Sequence, residues 1–137
     1  MRQNIKNRII GGKKKAAWFV DYVFAKKKLS LKEFQEIFHA YMCSKFLLES
    51  SEIKTDNFYE ICQISVEKVS KLPKGALDAA EAASKCGGAT SAMNKKVLFI
   101  LAVNQEFKIA ITAEESVQIE SFNQLTELVY EKLYVKG

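Results

Sequence analysis

The stretch KVLFILAVNQEFKIAITAEESVQIESFNQLTELV, residues 96–129, decides how the second half of the chain folds. Its residues 97–103 are apolar at every position, and such a run fits either a buried helix or a buried strand. As strands, this run and residues 106–112 would form a hairpin around Asn104 and Gln105, although a tight hairpin prefers Asn-Gly there. Helix and hairpin both remain open on periodicity alone.

The other helix signals in the second half of the chain are local. Thr112 and Glu115 have the spacing of a capping box, which predicts that a helix begins there. Apolar residues follow at helical spacing as far as Leu133, so we predict two helices joined near Glu120. Further helices are predicted upstream, over residues 58–72 and over the alanine-rich residues 76–88.

The composition predicts an all-α protein of the cytoplasm. Of the 137 residues 48% are hydrophobic and one is proline, which favours helices joined by short turns. The three cysteines, Cys43, Cys62 and Cys86, are odd in number and lack metal-ligand spacing, so we expect neither a disulfide framework nor a metal site. Residues 16–25 are too short to span a bilayer and contain Asp21, and no secretory signal is expected.

Positive charge is concentrated in the first part of the chain. Residues 1–57 hold 12 Lys or Arg against 6 Asp or Glu, whereas residues 58–137 hold 9 against 10. A polar, turn-rich segment ends near Asn57 and predicts a domain boundary there. We therefore predict a basic helical extension of about two helices over residues 1–57 and a helical bundle over residues 58–137.

The first of these helices is predicted to begin after Gly12, and the second at Ser30, which has capping-box spacing with Glu33. Basic residues that bracket the first helix could contact nucleic acid, anionic lipid or an acidic partner, or could solvate a helix that packs through its aromatic face. We favour the packed helix, and so expect neither nucleic acid nor a membrane surface as partner. The aromatic residues are Trp18, Phe19, Tyr22 and Phe24, and the basic ones are Arg2, Lys6, Arg8, Lys13, Lys14, Lys15, Lys26, Lys27 and Lys28.

Ten residues of the second half have the spacing of a family pattern. They are Glu106, Phe107, Ile109, Ile111, Glu114, Glu115, Ile119, Phe122, Leu125 and Val129. In this pattern the chain resembles an acyl carrier protein, a four-helix bundle that tethers acyl or aminoacyl groups by a phosphopantetheine arm. The resemblance covers residues 58–137 and favours helix over hairpin for residues 97–103. More narrowly, the chain resembles the acyl-carrier-related proteins of bacterial peptide-maturation (bacteriocin-type) cassettes.

The family attaches its arm to a serine at the start of its second helix. Counted back from Phe107 without a gap, the serine's position is occupied by Met93, which has no nucleophilic oxygen. Ser91 lies two residues earlier and is better suited to cap a helix. We therefore expect no cofactor, and 4′-phosphopantetheine only if Ser91 is modified.

The expected partner surface also departs from the family. Carrier proteins usually present acidic residues along this helix, where basic enzymes dock, whereas this chain has Lys95 and Lys96. We predict that these two residues bind a partner, together with Lys13, Lys14 and Lys15 of the basic extension.

The sequence offers no catalytic constellation. His39 has no partner at ligand or triad spacing, and neither glycine pair has the spacing of a phosphate-binding loop. We predict a non-enzymatic, carrier-like binding or scaffold protein that serves a peptide-modifying or acyl-transferring enzyme or presents a peptide substrate. The alternative is a basic helical protein that binds nucleic acid or an anionic membrane surface.

Overall fold

A computed structural model describes residues 2–71 and 91–134, with side chains from Lys14 onward. Over these residues the fold is all-α, with six α-helices and no strand, which confirms the predicted class. In chain order they are α1 (Arg2–Ala25), α2 (Leu31–Phe46), a 3-10 turn (Ser50–Glu52), α3 (Phe58–Ser70), α4 (Ala92–Phe107), α5 (Ala113–Gln118) and α6 (Phe122–Tyr134).

Residues 97–103 lie inside α4, so the hairpin alternative is wrong. Helix α4 buries part of this run, including Phe99, Ile100 and Val103, and leaves Val97 and Leu101 exposed. The two helices predicted around Glu120 are confirmed as α5 and α6. The predicted alanine-rich helix, with Cys86, lies outside the described residues.

Side-chain caps fix where several helices begin. At α5 the predicted capping box is complete, because Thr112 Oγ1 accepts the Glu115 N–H at 3.1 Å and Glu115 Oε1 accepts the Thr112 N–H at 2.9 Å. Ser30 caps α2 by accepting the Glu33 N–H at 3.1 Å. The first helix begins earlier than predicted, since α1 runs through Gly12 at a cost of about 1 kcal/mol per glycine.

The core is aromatic and is shared by the two halves of the chain. The Phe38 ring of α2 lies 6.0 Å from the Phe99 ring of α4 and stacks on the Phe122 ring of α6 at 5.3 Å, measured between centroids. The Phe46 ring of α2 likewise contacts two rings, stacking on Phe58 of α3 and meeting Phe99 of α4 edge-on. The core residues on both sides of position 57 form one cluster, so α2 packs against the second half of the chain.

Polar contacts reinforce this shared core. Tyr130 on α6 donates a hydrogen bond to the Leu29 carbonyl at 2.7 Å, and Ser65 on α3 donates one to the Phe46 carbonyl at 2.8 Å. An ion pair of 2.7 Å joins Lys45 of α2 to Glu106 of α4. The segments that precede α3 and α6 also pair, through the Phe58 N–H to the Glu120 carbonyl and the Phe122 N–H to the Asp56 carbonyl. 

Helix α1 packs on α2 through small and branched side chains. Ala16, Val20 and Val23 form its buried stripe, whereas Trp18 is 59% exposed and Phe24 is 49% exposed. The prediction that α1 packs through its aromatic face is therefore wrong for Trp18, whereas Phe19 and Tyr22 pack against the core and the Phe24 ring lies 6.4 Å from the Phe107 ring. None of the helices in the described residues is both long enough and apolar enough to cross a membrane.

Candidate docking site

Ser91 lies at the N-cap of α4, in an extended backbone conformation. Its Oγ accepts a hydrogen bond from the Asn94 N–H at 3.1 Å, and the residue is exposed. The hydroxyl therefore performs the capping function that the sequence favoured, and it also remains open to solvent at the positive end of a helix dipole. Thr90, which precedes it, lies outside the described residues.

The solvent-facing side of α4 carries an apolar stripe. Met93, Val97 and Leu101 follow one another at intervals of four residues, which aligns them on one side of a helix. They are 55%, 46% and 56% exposed. We call these three residues the α4 stripe.

No charged residue of α4 is exposed. Its other exposed side chains are the uncharged amides Asn94 and Gln105, and its charged residues Lys96 and Glu106 are half-buried. Helix α4 therefore does not present the basic docking surface that Lys95 and Lys96 were predicted to form. An apolar surface that lies among polar residues suits contact with another protein, because its burial there removes hydrocarbon from water.

Lys95 does not lie on this outward surface. Its side chain is fully buried, and its Nζ lies 5.2 Å from the centroid of the Phe46 ring. The prediction that Lys95 binds a partner is corrected by this burial. The physical reason is its register, since Lys95 is three residues after Ala92 and four before Phe99, both of which face the core.

Lys96 is engaged within the fold. Its Nζ donates a hydrogen bond to the carbonyl of Ile119, the C-cap residue of α5, at 2.9 Å. Lys14 and Lys15 are exposed on α1, while the side chain of Lys13 lies outside the described part. The five lysines predicted to bind a partner therefore do not form one surface.

The bond from Lys96 fixes the end of α5 next to α4. Val117, two residues before Ile119, is the most exposed large hydrophobic residue of the described chain, at 80%. An ion pair of 3.0 Å between Glu115 and Lys132 joins α5 to α6. Helix α5 therefore has a fixed orientation, with an apolar side chain in water.

The remaining candidate residues form no reactive constellation in the described residues. His39 is half-buried, its Nε2 lies 3.3 Å from the Ser50 Oγ, and it lines an open depression with Glu36 and Asp56. Burial raises the pKa of the Cys43 thiol to about 11, which disfavours its nucleophilic thiolate. No group of three or more His, Cys, Asp or Glu is arranged there to hold a metal ion.

Sequence reasoning missed Val97 and Leu101 as surface residues. The apolar run itself was the signal. Seven consecutive positions of a helix point in all directions, so a helix that packs on one side only exposes some of them. Comparison with known proteins adds no assignment, since no family model, curated protein or solved structure matches the chain.

Proposed function

We propose that the chain is a non-catalytic, acyl-carrier-like docking protein that binds a partner enzyme of a peptide-modifying or acyl-transferring pathway through the α4 stripe. The observation that carries the proposal is the exposed row of Met93, Val97 and Leu101 on one side of α4. Three large side chains on one helix face make a compact anchor for a partner's apolar groove or helix.

The order of the helices supports the carrier-like part of this proposal. Helices α3, α4, α5 and α6 have 13, 16, 6 and 13 residues, and the shortest lies between the last two long helices. The family that the chain resembles likewise has a loop and a short helix between its second and its last helix. Ser91 precedes α4 directly, as the attachment serine does in that family.

The proposed function does not require an arm. Met93 at the ungapped position is exposed but has no hydroxyl, and Ser91 already caps the helix. Partner binding through an apolar surface needs neither a thioester nor a tether. We therefore propose that the chain acts without 4′-phosphopantetheine.

The docking surface is tested by calorimetric titration with any peptide-modifying or acyl-transferring enzyme that is encoded beside this gene. Leu101→Glu places a charge in the α4 stripe and should weaken binding at least about tenfold, because the charge loses its hydration on docking. Gln63→Glu adds the same charge at an exposed position of α3, outside the α4 stripe, and should bind within about threefold of the wild type. Equal affinities of the wild type and both variants would contradict the proposal. A wild-type protein that binds none of these enzymes would contradict it as well.

The arm is tested separately by intact mass after co-expression with a broad-specificity phosphopantetheinyl transferase. We expect an unchanged mass. A gain of one phosphopantetheine, lost in Ser91→Ala, would show that the chain is a functional carrier while leaving the docking experiment interpretable.

A further inference from the structure

We propose that the outer face of α1 binds the anionic surface of a lipid bilayer. We call this surface the α1 face and define it by Lys14, Lys15, Trp18 and Tyr22, together with Lys26, which directly follows the helix. It lies on a different helix from the α4 stripe, and the proposal is independent of the docking function.

The first observation is the position of Trp18. This residue lies on the side of α1 opposite the buried stripe of Ala16, Val20 and Val23, and it is 59% exposed. Its ring stacks on the Tyr22 ring, with the centroids 5.5 Å apart and 28° between the planes. An indole on the water side of a helix is costly to leave hydrated, and the boundary between water and lipid is where tryptophan and tyrosine side chains concentrate.

The second observation is the charge around these rings. Residues 1–28 contain nine Lys or Arg against Asp21 alone, a net charge of +8, whereas the whole chain has a net charge of +5. Lys14 lies one helical turn before Trp18, and Lys26 Nζ lies 5.2 Å from the centroid of the Tyr22 ring. Lysines of this kind attract acidic headgroups while their alkyl stems remain beside the apolar rings.

The geometry favours a bilayer over single-stranded nucleic acid. Proteins that bind single strands combine a groove with aromatic faces on which successive bases stack. Here only Trp18 projects from the outer side of the helix, while the half-buried Tyr22 packs against the core and its ring already covers one face of Trp18. A planar surface of acidic headgroups requires only that an indole and several lysines project to the same side, and α1 from Lys14 to its end at Ala25 spans about 17 Å.

The chain has a single tryptophan, so its fluorescence reports this face directly. The full-length protein is titrated with phosphatidylcholine vesicles that contain about one-third phosphatidylglycerol, and with pure phosphatidylcholine vesicles. We expect a blue shift of Trp18 emission with the anionic vesicles alone, and a weaker affinity when salt rises from about 0.1 M to about 0.5 M. No binding, or binding without a shift, would overturn the proposal.

Charge variants test whether the α1 face, and not net charge, is responsible. K14E combined with K15E should weaken vesicle binding at least about 25-fold, since each lysine near an acidic surface contributes about fivefold. K54E combined with K71E makes the same change of net charge at exposed positions outside α1 and should weaken binding less than about threefold. Equal losses for the two pairs would overturn the proposal.

A gain of affinity separates the proposal from misfolding. Asp21 is exposed on α1 one turn after Trp18, and D21N should strengthen vesicle binding about fivefold because it removes a repulsive charge. An unchanged affinity in this variant would count against the α1 face. An oligothymidylate that quenches Trp18 and displaces the vesicles would assign the face to nucleic acid and overturn the lipid proposal.

Discussion

Asn104 and Ile111 are joined by two hydrogen bonds. The Ile111 N–H donates to Asn104 Oδ1 at 2.8 Å, and Asn104 Nδ2 donates to the Ile111 carbonyl at 3.2 Å. Between them the chain leaves α4 through Lys108, whose φ of 57° is in the left-handed region. This side-chain amide therefore closes the loop from α4 to α5 and holds Ile111 in the core.

Replacement of Asn104 by alanine should lower the free energy of unfolding by about 1–3 kcal/mol, because the partly buried backbone groups of Ile111 lose their partners. The measurement is urea denaturation followed by circular dichroism. Gln105→Ala, at the exposed neighbouring position, should stay within about 0.5 kcal/mol of the wild type. Similar losses in both variants would mean that the amide does not hold the loop.

Phe38→Ala should lower the free energy of unfolding by about 3–5 kcal/mol, since its ring contacts both α4 and α6.

The shared core also predicts that a fragment of residues 58–137 does not unfold cooperatively, because Phe58, Phe99 and Phe122 would lose aromatic partners on α2. Urea titrations of both proteins check this. A steep, two-state transition of the fragment would contradict this expectation and support the domain boundary predicted near Asn57.

Lys95→Ala should lower the free energy of unfolding by about 1–3 kcal/mol, because the buried stem and the cation–π contact with Phe46 are both lost. Asn94→Ala, on the exposed side of the same turn, provides the control and should have little effect. A Lys95→Ala protein with wild-type stability and weakened partner binding would support the surface role predicted from sequence.

The free energy of unfolding should depend on pH through the carboxyl group of Glu115. The Thr112 N–H, and then Lys132, lower the pKa of its carboxyl from the ordinary 4.5. Because the folded-state pKa is the lower one, this stabilisation is complete above pH 4.5 and is lost as pH falls through the folded-state pKa. Urea midpoints of Glu115→Gln should lie below those of the wild type at neutral pH and converge with them in acid. Glu114→Gln is the control, and a difference for Glu115→Gln that stayed constant with pH would contradict the linkage.

Cys43 should react slowly with iodoacetamide in the folded protein. Burial, followed by the charges of Glu49 and Glu52, raises the pKa of its thiol from 9.0 to about 11, so the thiolate is about a hundredfold scarcer near neutral pH. Peptide mass spectrometry after timed labelling measures the rate at this site. The same labelling in concentrated urea should restore an ordinary rate, and equal rates in both conditions would contradict the prediction.

Local sequence signals predicted the helices and several of their ends. The Thr112–Glu115 box formed as expected, because both partners lie within one turn and need no distant contact. For residues 97–103, periodicity could not choose between helix and strand, and only the carrier-like pattern favoured the helix. Another capping box, between Ser121 and Gln124 at the start of α6, was not predicted. Its serine and glutamine have the same three-residue spacing as Thr112 and Glu115.

The sequence by itself determined that the chain is helical, that its first part is basic and that α4 is apolar over most of its surface. The tertiary structure decided which side of each helix meets the core. Lys95 is buried and Leu101 exposed because α2 and α3 supply aromatic rings to one side of α4, and Trp18 is exposed because α1 uses its small residues to approach α2. Hydrophobicity assigns a residue an average preference for burial, but a particular side chain is buried only where a neighbouring helix covers it.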